Sequence, residues 1–414
     1  MTIPPDLRRA RLATVGAFLA QGMVFISLTT RLPDIQERWN LSEAMLSVLL
    51  LMMVLLAGAG SALAEALART RPSAMVLRLG LLVITAALPV IALAGALPVF
   101  IAGLATYGVG LGLVDAAGNM AAVAVEHKYG RTILPSFHGA WTLGGVLGAA
   151  TTLALGDVGL HVVALVAVIP LLVALGPFLP RVGDPQVGAT DVDVPWRPIL
   201  LVGLGMVLFY MVDTASTTWG PTYLDNTFPT PQRWVALAPF PYLLSTLVMR
   251  LAGDRLVERF GTTIVLRTGG LLAAASLAVI VAAPVWPVAV VGFTLLGFGV
   301  AVIAPLSFSA AARIAGGEDV PPELRQARVD AVIGRFNQFN YVGALLGSVL
   351  TGLVGADSLR VGFAVPMVLI LAILPLARAF APPQPRRVGG RPSHPGGGGV
   401  RPGGRGRGGT TPPS

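Results

Sequence analysis

Asp115 and Asp213 are the residues that most call for an explanation. Each lies in apolar sequence, V-G-L-G-L-V-D-A-A-G at 109–118 and F-Y-M-V-D-T-A-S at 209–216. A carboxylate deep in hydrocarbon costs several kcal/mol unless it is paired, hydrated or protonated, so such a group usually faces a polar path or a partner. The chemistry it offers is a hydrogen bond to a hydroxyl solute, attraction of a cation, or proton exchange. A structural acid at a helix contact is the competing reading. Gln21, Trp141, Tyr210, Trp219, Tyr242, Asn337, Asn340 and Tyr341 are further polar or aromatic side chains inside apolar runs, suited to hydrogen bonding or ring stacking, although packing explains many such residues. Asn119, Glu126, Arg131 and His138 gather around one short charged turn and read as a gate network. Histidine ordinarily titrates near neutrality, but a satisfied structural histidine also fits.

Other chemistries lack their residues. There is no cysteine, and His127, His138, His161 and His394 are scattered without metal-ligand spacing. The single lysine, Lys128, has no phosphate-binding loop around it. The glycines at 108, 110, 112, 144 and 148 do not spell G-x-G-x-x-G and read as close helix packing, repeated by Gly343 and Gly347. No enzyme, cofactor or metal site is expected.

The elements that position these residues follow from composition. Of 414 residues 54% are hydrophobic and 12% charged, with a mean hydropathy of +0.76. A soluble domain carries about twice that charge fraction. Apolar runs occupy 10–31, 44–68, 74–95, 98–124, 133–155 and 160–180, then 197–222, 232–252, 262–284, 286–313, 329–352 and 358–380. Each is about long enough to cross a ~30 Å hydrocarbon core as a helix. The expected fold is an all-α membrane protein of twelve transmembrane helices. The first run is too long for a signal peptide and is read as an uncleaved helix.

Arginine and lysine set the orientation. With the N-terminus inside, 25 of the 29 fall in cytoplasmic segments, and only Arg31, Arg38, Arg233 and Arg360 fall outside. Both termini are therefore expected in the cytoplasm of a plasma (inner) membrane protein. Residues 1–180 form a six-helix bundle, 181–196 a cytoplasmic linker and 197–380 a second six-helix bundle. Residues 381–414 form a disordered basic Gly/Pro/Arg tail. That tail is read as a partner for anionic lipid rather than nucleic acid.

The two sets of six resemble each other. Ser61–Gly80 lies over Arg250–Gly269 without a gap, placing Glu65 on Asp254 and V-L-R-L-G on V-L-R-T-G. G-V-G at 108–110 matches G-F-G at 297–299, and 136–148 matches 335–347. T-T-R-L-P at 29–33 resembles T-T-W-G-P at 217–221. An even number of helices per copy implies an axis along the membrane normal, with a solute path between the copies.

R-L-A-G-D-R-L-V-E-R-F-G at 250–261 resembles the cytoplasmic G-x-x-x-D-R-x-G-R signature of the major facilitator superfamily. The resemblance implies a latch of Asp254, Arg255 and Arg259. In the first copy Glu65 replaces Asp, Ala66 replaces Arg and Pro72 replaces Gly, so Arg69 and Arg71 would share the task. Four stretches resemble the MosC/YbjJ-like, sugar-transporter-like branch: R-L-P-D-I-Q-E-R-W-N-L-S-E-A at 31–44, D-A-A-G-N-M-A-A-V-A-V-E at 115–126, G-R-T-I-L-P-S-F-H-G-A-W-T-L-G-G at 130–145, and G-D-R-L-V-E-R-F-G at 253–261. Where that branch has a Glu-Gly…Asp-Trp pattern, this chain reads D-T-A-S-T-T-W at 213–219, keeping Asp213 and placing Thr218 at the other acid. The family's cavity is lined by helices matching runs 1, 4, 7 and 10, which puts Asp213 first and Asp115 second for solute hydroxyl binding or proton coupling.

The expected function is proton-coupled movement of a small sugar- or polyol-like solute by alternating access, in symport or antiport. A drug or metabolite exporter of the same fold is the alternative, since acids and aromatics also suit a cation. The expected partners are the solute, protons and membrane lipid, with no nucleic acid and a monomeric chain.

Overall fold

The computed structural model describes residues 4–68, 70–129, 133–155, 158–179, 195–317, 332, 336 and 338–381. Every regular element among them is helical. In order these are α1 (Pro5–Thr29), α2 (Leu32–Trp39), α3 (Glu43–Ala68), α4 (Ser73–Leu93), α5 (Leu97–Tyr129) and α6 (Leu134–Ala154). After them come α7 (His161–Ala174), α8 (Trp196–Thr227), α9 (Pro239–Phe260), α10 (Thr262–Ala282), α11 (Trp286–Gly316), α12 (Gln338–Val354) and α13 (Leu359–Phe380). Among the described residues nine helices are long and apolar enough to cross a bilayer, and α7 and α12 are shorter apolar helices. Proline in the first turn starts α1, α2, α6, α9 and α11, where its missing N–H leaves no bond unmade. Gly261 ends α9 at φ 81°, a left-handed conformation that favours glycine.

The element not expected is α2. Its eight residues are amphipathic and bury Leu32, Pro33 and Ile35. At about 1.5 Å per residue it is too short to cross a bilayer.

The helices approach closely through glycine, and they do so twice. A Cβ on Gly108 would fall on the Met53 carbonyl, and one on Gly297 would fall on the Tyr242 carbonyl. Gly108 and Gly297 are 189 positions apart, and so are Met53 and Tyr242. The same spacing relates Gly110 against Ile84 to Gly299 against Ala273, and Gly103 against Ile91 to Gly292 against Ile280. Gly144 and Gly148 sit on the Leu19 and Met23 carbonyls of α1, as Gly343 and Gly347 sit on the Val207 and Met211 carbonyls of α8. The sequence repeat is thus a repeat of backbone contacts, with residues 4–179 as the first copy and 195–381 as the second.

The copies differ in one backbone feature. Ala215–Trp219 of α8 and Leu346–Leu350 of α12 are π-turns, whereas α1 and α6 are α-helical throughout. A π-turn adds one residue to a helix turn. Gly347 and Gly352 are accordingly five apart and still share a face, Gly352 meeting the Trp219 ring.

Arginines tie down the helix ends by donating to carbonyls at or close to them, where intrahelical partners run out. On the face where α1 begins, called the near face below, Arg78 Nη2 donates to Gly176 O (2.9 Å) and Arg267 Nε to Leu374 O (3.0 Å). These two arginines are the V-L-R residues of the repeat. On the far face Arg31 donates to Leu155 O, Arg38 to Ala92 O and Arg360 to Val281 O, all within 3 Å. Three of the four arginines that depart from the charge asymmetry therefore cap helices. The fourth, Arg233, is exposed beside Trp234.

Candidate functional site

The two aspartates lie in separate polar centres, each met by a tyrosine. Asp213, in the last turn before the α8 π-turn, is buried, and its Oδ1 accepts from Tyr242 Oη of α9 at 2.7 Å. Ser216 and Thr217 turn their hydroxyls back onto the Val212 and Asp213 carbonyls, both at 2.8 Å. This is how a Ser/Thr run accommodates a locally widened helix. Thr218, at the position where the related branch carries an acid, buries a hydroxyl oxygen with no hydrogen-bond partner among the described residues. Arg250 of α9 is the cationic neighbour of Asp213. Its Nη1 donates to Thr142 Oγ1 of α6 at 2.7 Å, its Nε reaches Ala301 O at 3.4 Å, and its guanidinium lies 5.7 Å from the Phe209 ring centre.

Asp115, mid-way along α5, is half-buried. Its carboxylate accepts from the Tyr341 hydroxyl of α12 and hydrogen-bonds Gln21 of α1. The same hydroxyl lies 3.3 Å from Ser61 Oγ of α3. One aspartate is thus tied within the second copy, and the other is tied across the two copies.

The remaining sequence candidates are distributed as follows. Tyr210 is half-buried and stacks edge-on against Phe209. Trp219 is fully buried and donates its indole N–H to Ser348 O at 2.6 Å, which makes it a packing residue of the α8–α12 contact. Trp141 is half-buried with its ring 6.2 Å from Phe25. Asn340 is half-buried on α12. Asn119 Nδ2 donates to Asp115 O one turn back, and Glu126 Oε2 accepts the Ile133 N–H at 2.7 Å, closing the start of α6. His138 lies between Phe18, edge-on at 5.4 Å, and Phe308 of α11, stacked at 6.3 Å. Phe308 continues into Phe336 and Phe339, an aromatic seal near the start of α6. Glu65, Arg255 and Arg259 are exposed at the near-face ends of α3 and α9, Arg259 lying over Phe260. Arg131 and Asn337 lie outside the described residues, as do Arg69 and the Asp254 side chain.

Sequence reasoning missed Arg250, Thr142 and Ser61. Arg250 counted only as one more basic residue of the near face. The signal was present in the repeat alignment, where Ser61 falls on Arg250 and Thr142 on Tyr341. The far-face contacts between the copies were missed as well. Asn226 donates to Glu43 Oε1 at 2.9 Å, and Gln232 donates to Asp34, which also pairs with the buried Arg31 at 3.2 Å. The two copies therefore touch through polar groups at both faces.

Known proteins share both sequence and fold with this chain. A family model described as the Major Facilitator Superfamily matches residues 203–407. An uncharacterized MFS-type transporter of Yersinia pestis is 27% identical over 381 residues, spanning 89% of this chain and 95% of its own length. The membrane protein MosC of Rhizobium meliloti is 26% identical over 305 residues, covering 72% of this chain and 75% of MosC. Among solved structures, the nucleoside transporter NupG superposes with a TM-score of 0.65 at 13% identity, over 91% of this chain and 98% of that one.

Proposed function

We propose that this chain, which belongs to the major facilitator superfamily, is a secondary active transporter that carries a small polar organic solute, sugar- or polyol-like, by alternating access coupled to protons. It is a multi-pass membrane protein with no enzymatic role. In the finer reading, residues 1–180 and 197–380 are two six-helix bundles, twelve spans in all, joined by a cytoplasmic linker at 181–196. Both termini face the cytoplasm of the inner membrane. The glycine contacts repeated between the copies support the two bundles. The arginine and lysine distribution supports the orientation.

The observation that carries the reading is the pair of aspartates inside membrane-length helices, each with a tyrosine hydroxyl on its carboxylate. Such groups in lipid mark solute or proton paths. Asp115 and Gln21 offer acceptors and donors to solute hydroxyls, with Trp141, Tyr210 and Asn340 as neighbouring polar and stacking surface. Asp213, next to Arg250, is the coupling acid. Glu65, Asp254, Arg255 and Arg259 are assigned to the near-face latch, and Asn119, Glu126, Arg131 and His138 to the gate network beside it.

The test is uptake of a radiolabelled polyol into proteoliposomes under an imposed pH gradient. Uptake that collapses with the gradient is the expected result. The acids and aromatics also suit a cation, so a lipophilic cation is run alongside. Movement of the cation alone replaces the polyol reading with that of an exporter. Movement of neither solute under any gradient counts against transport of both classes.

A further inference from the structure

Among the polar contacts that cross between the copies, two join the same two positions of the repeat in opposite senses. Ser61 and Arg250 are equivalent positions, and so are Thr142 and Tyr341. Arg250 of the second copy donates to Thr142 of the first (2.7 Å), and Tyr341 of the second lies 3.3 Å from Ser61 of the first. Helix α9 is thereby held to α6, and α12 to α3.

We propose that Arg250–Thr142 and Tyr341–Ser61 are a matched pair of crossbars that hold the near face closed. The inference deepens the alternating-access reading above and rests on it. When two copies related by an axis along the membrane normal rock against each other, equivalent contacts separate together. Neither crossbar can therefore remain made when the near face opens. Arg250 is anchored in its own copy by Ala301 O and the Phe209 ring, so its reach to Thr142 is pre-set. Tyr341 instead reaches two acceptors of the first copy, Ser61 and the Asp115 carboxylate. The crossbars differ in what they end on. Thr142 also donates to its own helix, at His138 O, and bears no charge. The Tyr341 hydroxyl is shared with Asp115, the acid assigned to the solute. A solute hydroxyl arriving at Asp115 therefore competes for the Tyr341 crossbar and leaves the Arg250 crossbar alone. The stacked rings of His138 and Phe308 meet across the same seam.

The test uses the absence of cysteine, which makes one introduced thiol the only reactive one. Ala304 is buried on α11, one turn from Phe308, and is the repeat counterpart of Asp115. The full-length A304C protein is treated with a charged, membrane-impermeant maleimide in right-side-out and inverted vesicles, with no solute present. S307C, also on α11 at a buried serine, is a second reporter in case A304C folds poorly. T142A and S61A should each raise the labelling rate roughly tenfold, as expected for loss of one buried hydrogen bond. The double variant should exceed either, and Y341F should match or exceed S61A. The rise should be confined to the side that carries the start of the chain. Unchanged labelling in all variants overturns the proposal. An equal rise from both sides overturns it too, because that is general loosening. The labelling needs no solute, so failure of the polyol assay would leave this result standing and would refute only the solute reading.

Discussion

The first copy of the repeat, residues 4–179, and the second, 195–381, share their glycine contacts and differ in their polar chemistry. Gly108 and Gly297, Gly110 and Gly299, and Gly148 and Gly347 each press on equivalent backbone of a neighbouring helix. The acids have no such correspondence. Asp115 is held by a tyrosine from the other copy, and Asp213 by a tyrosine from its own copy beside a π-turn. What duplicates is what any lipid-embedded helix pair needs, close backbone approach without a hydrophobic driving force. What diverges is the polar chemistry on which the proposed site rests. In the proposed alternating-access cycle the Asp115–Tyr341 bond, which joins the copies, breaks when they move apart, whereas the Asp213–Tyr242 bond lies within one copy and can persist.

The comparison can be tested from its shared part outward. Gly148→Leu and Gly347→Leu should be equally damaging, each on the order of 3 kcal/mol or more, because a side chain at either site collides with a carbonyl. Loss of the folded peak in detergent chromatography would show it, with Gly95→Ala, which has open space, as the unaffected control. A tolerated leucine at either site would mean that the scaffold is not shared. The diverged part comes next. Tyr242→Phe should lower gradient-driven uptake by about tenfold while leaving near-face thiol labelling unchanged, and Tyr341→Phe should raise that labelling; the first removes the hydrogen bond to Asp213 and the second those to Asp115 and Ser61. Equal behaviour of the two variants would erase the distinction between the centres. The smallest effect is expected for Thr217→Ala, which removes a single hydroxyl bond at the π-turn and should lower the thermal midpoint by an amount equivalent to about 1 kcal/mol. A loss of transport from that substitution without a stability change would make the π-turn part of the site.

Much of this was legible in the sequence, for a physical reason. Lipid leaves no unpaired backbone groups, so continuous apolar runs must be helices, and nine of them are found at crossing length among the described residues. The repeat was legible because glycine is required wherever backbones touch. The helix α2 was not, since eight residues with three apolar contacts carry no run. The π-turns leave no composition signal; S-T-T at 216–218 reads as ordinary polar sequence until its hydroxyls are seen on helix carbonyls. Asp115 and Asp213 stood out by depth alone, but their tyrosine partners lie 226 and 29 positions away. Arg250 was hidden by its own charge, because an arginine near the end of a run reads as orientation. Trp219 shows the reverse error. Its position suggested a stacking surface, and its indole is fully enclosed.

The central claim is that Asp213 couples and Asp115 binds. A thermal-shift screen of sugars, polyols and amines first identifies the solute that stabilises the protein most. Asp213→Asn is then compared with the unaltered protein in proteoliposomes, by uptake driven by a pH gradient and by exchange of labelled for unlabelled solute without one. The expected result is loss of gradient-driven uptake with exchange retained, and loss of both in Asp115→Asn. Full gradient-driven uptake by the Asp213→Asn protein would contradict the account.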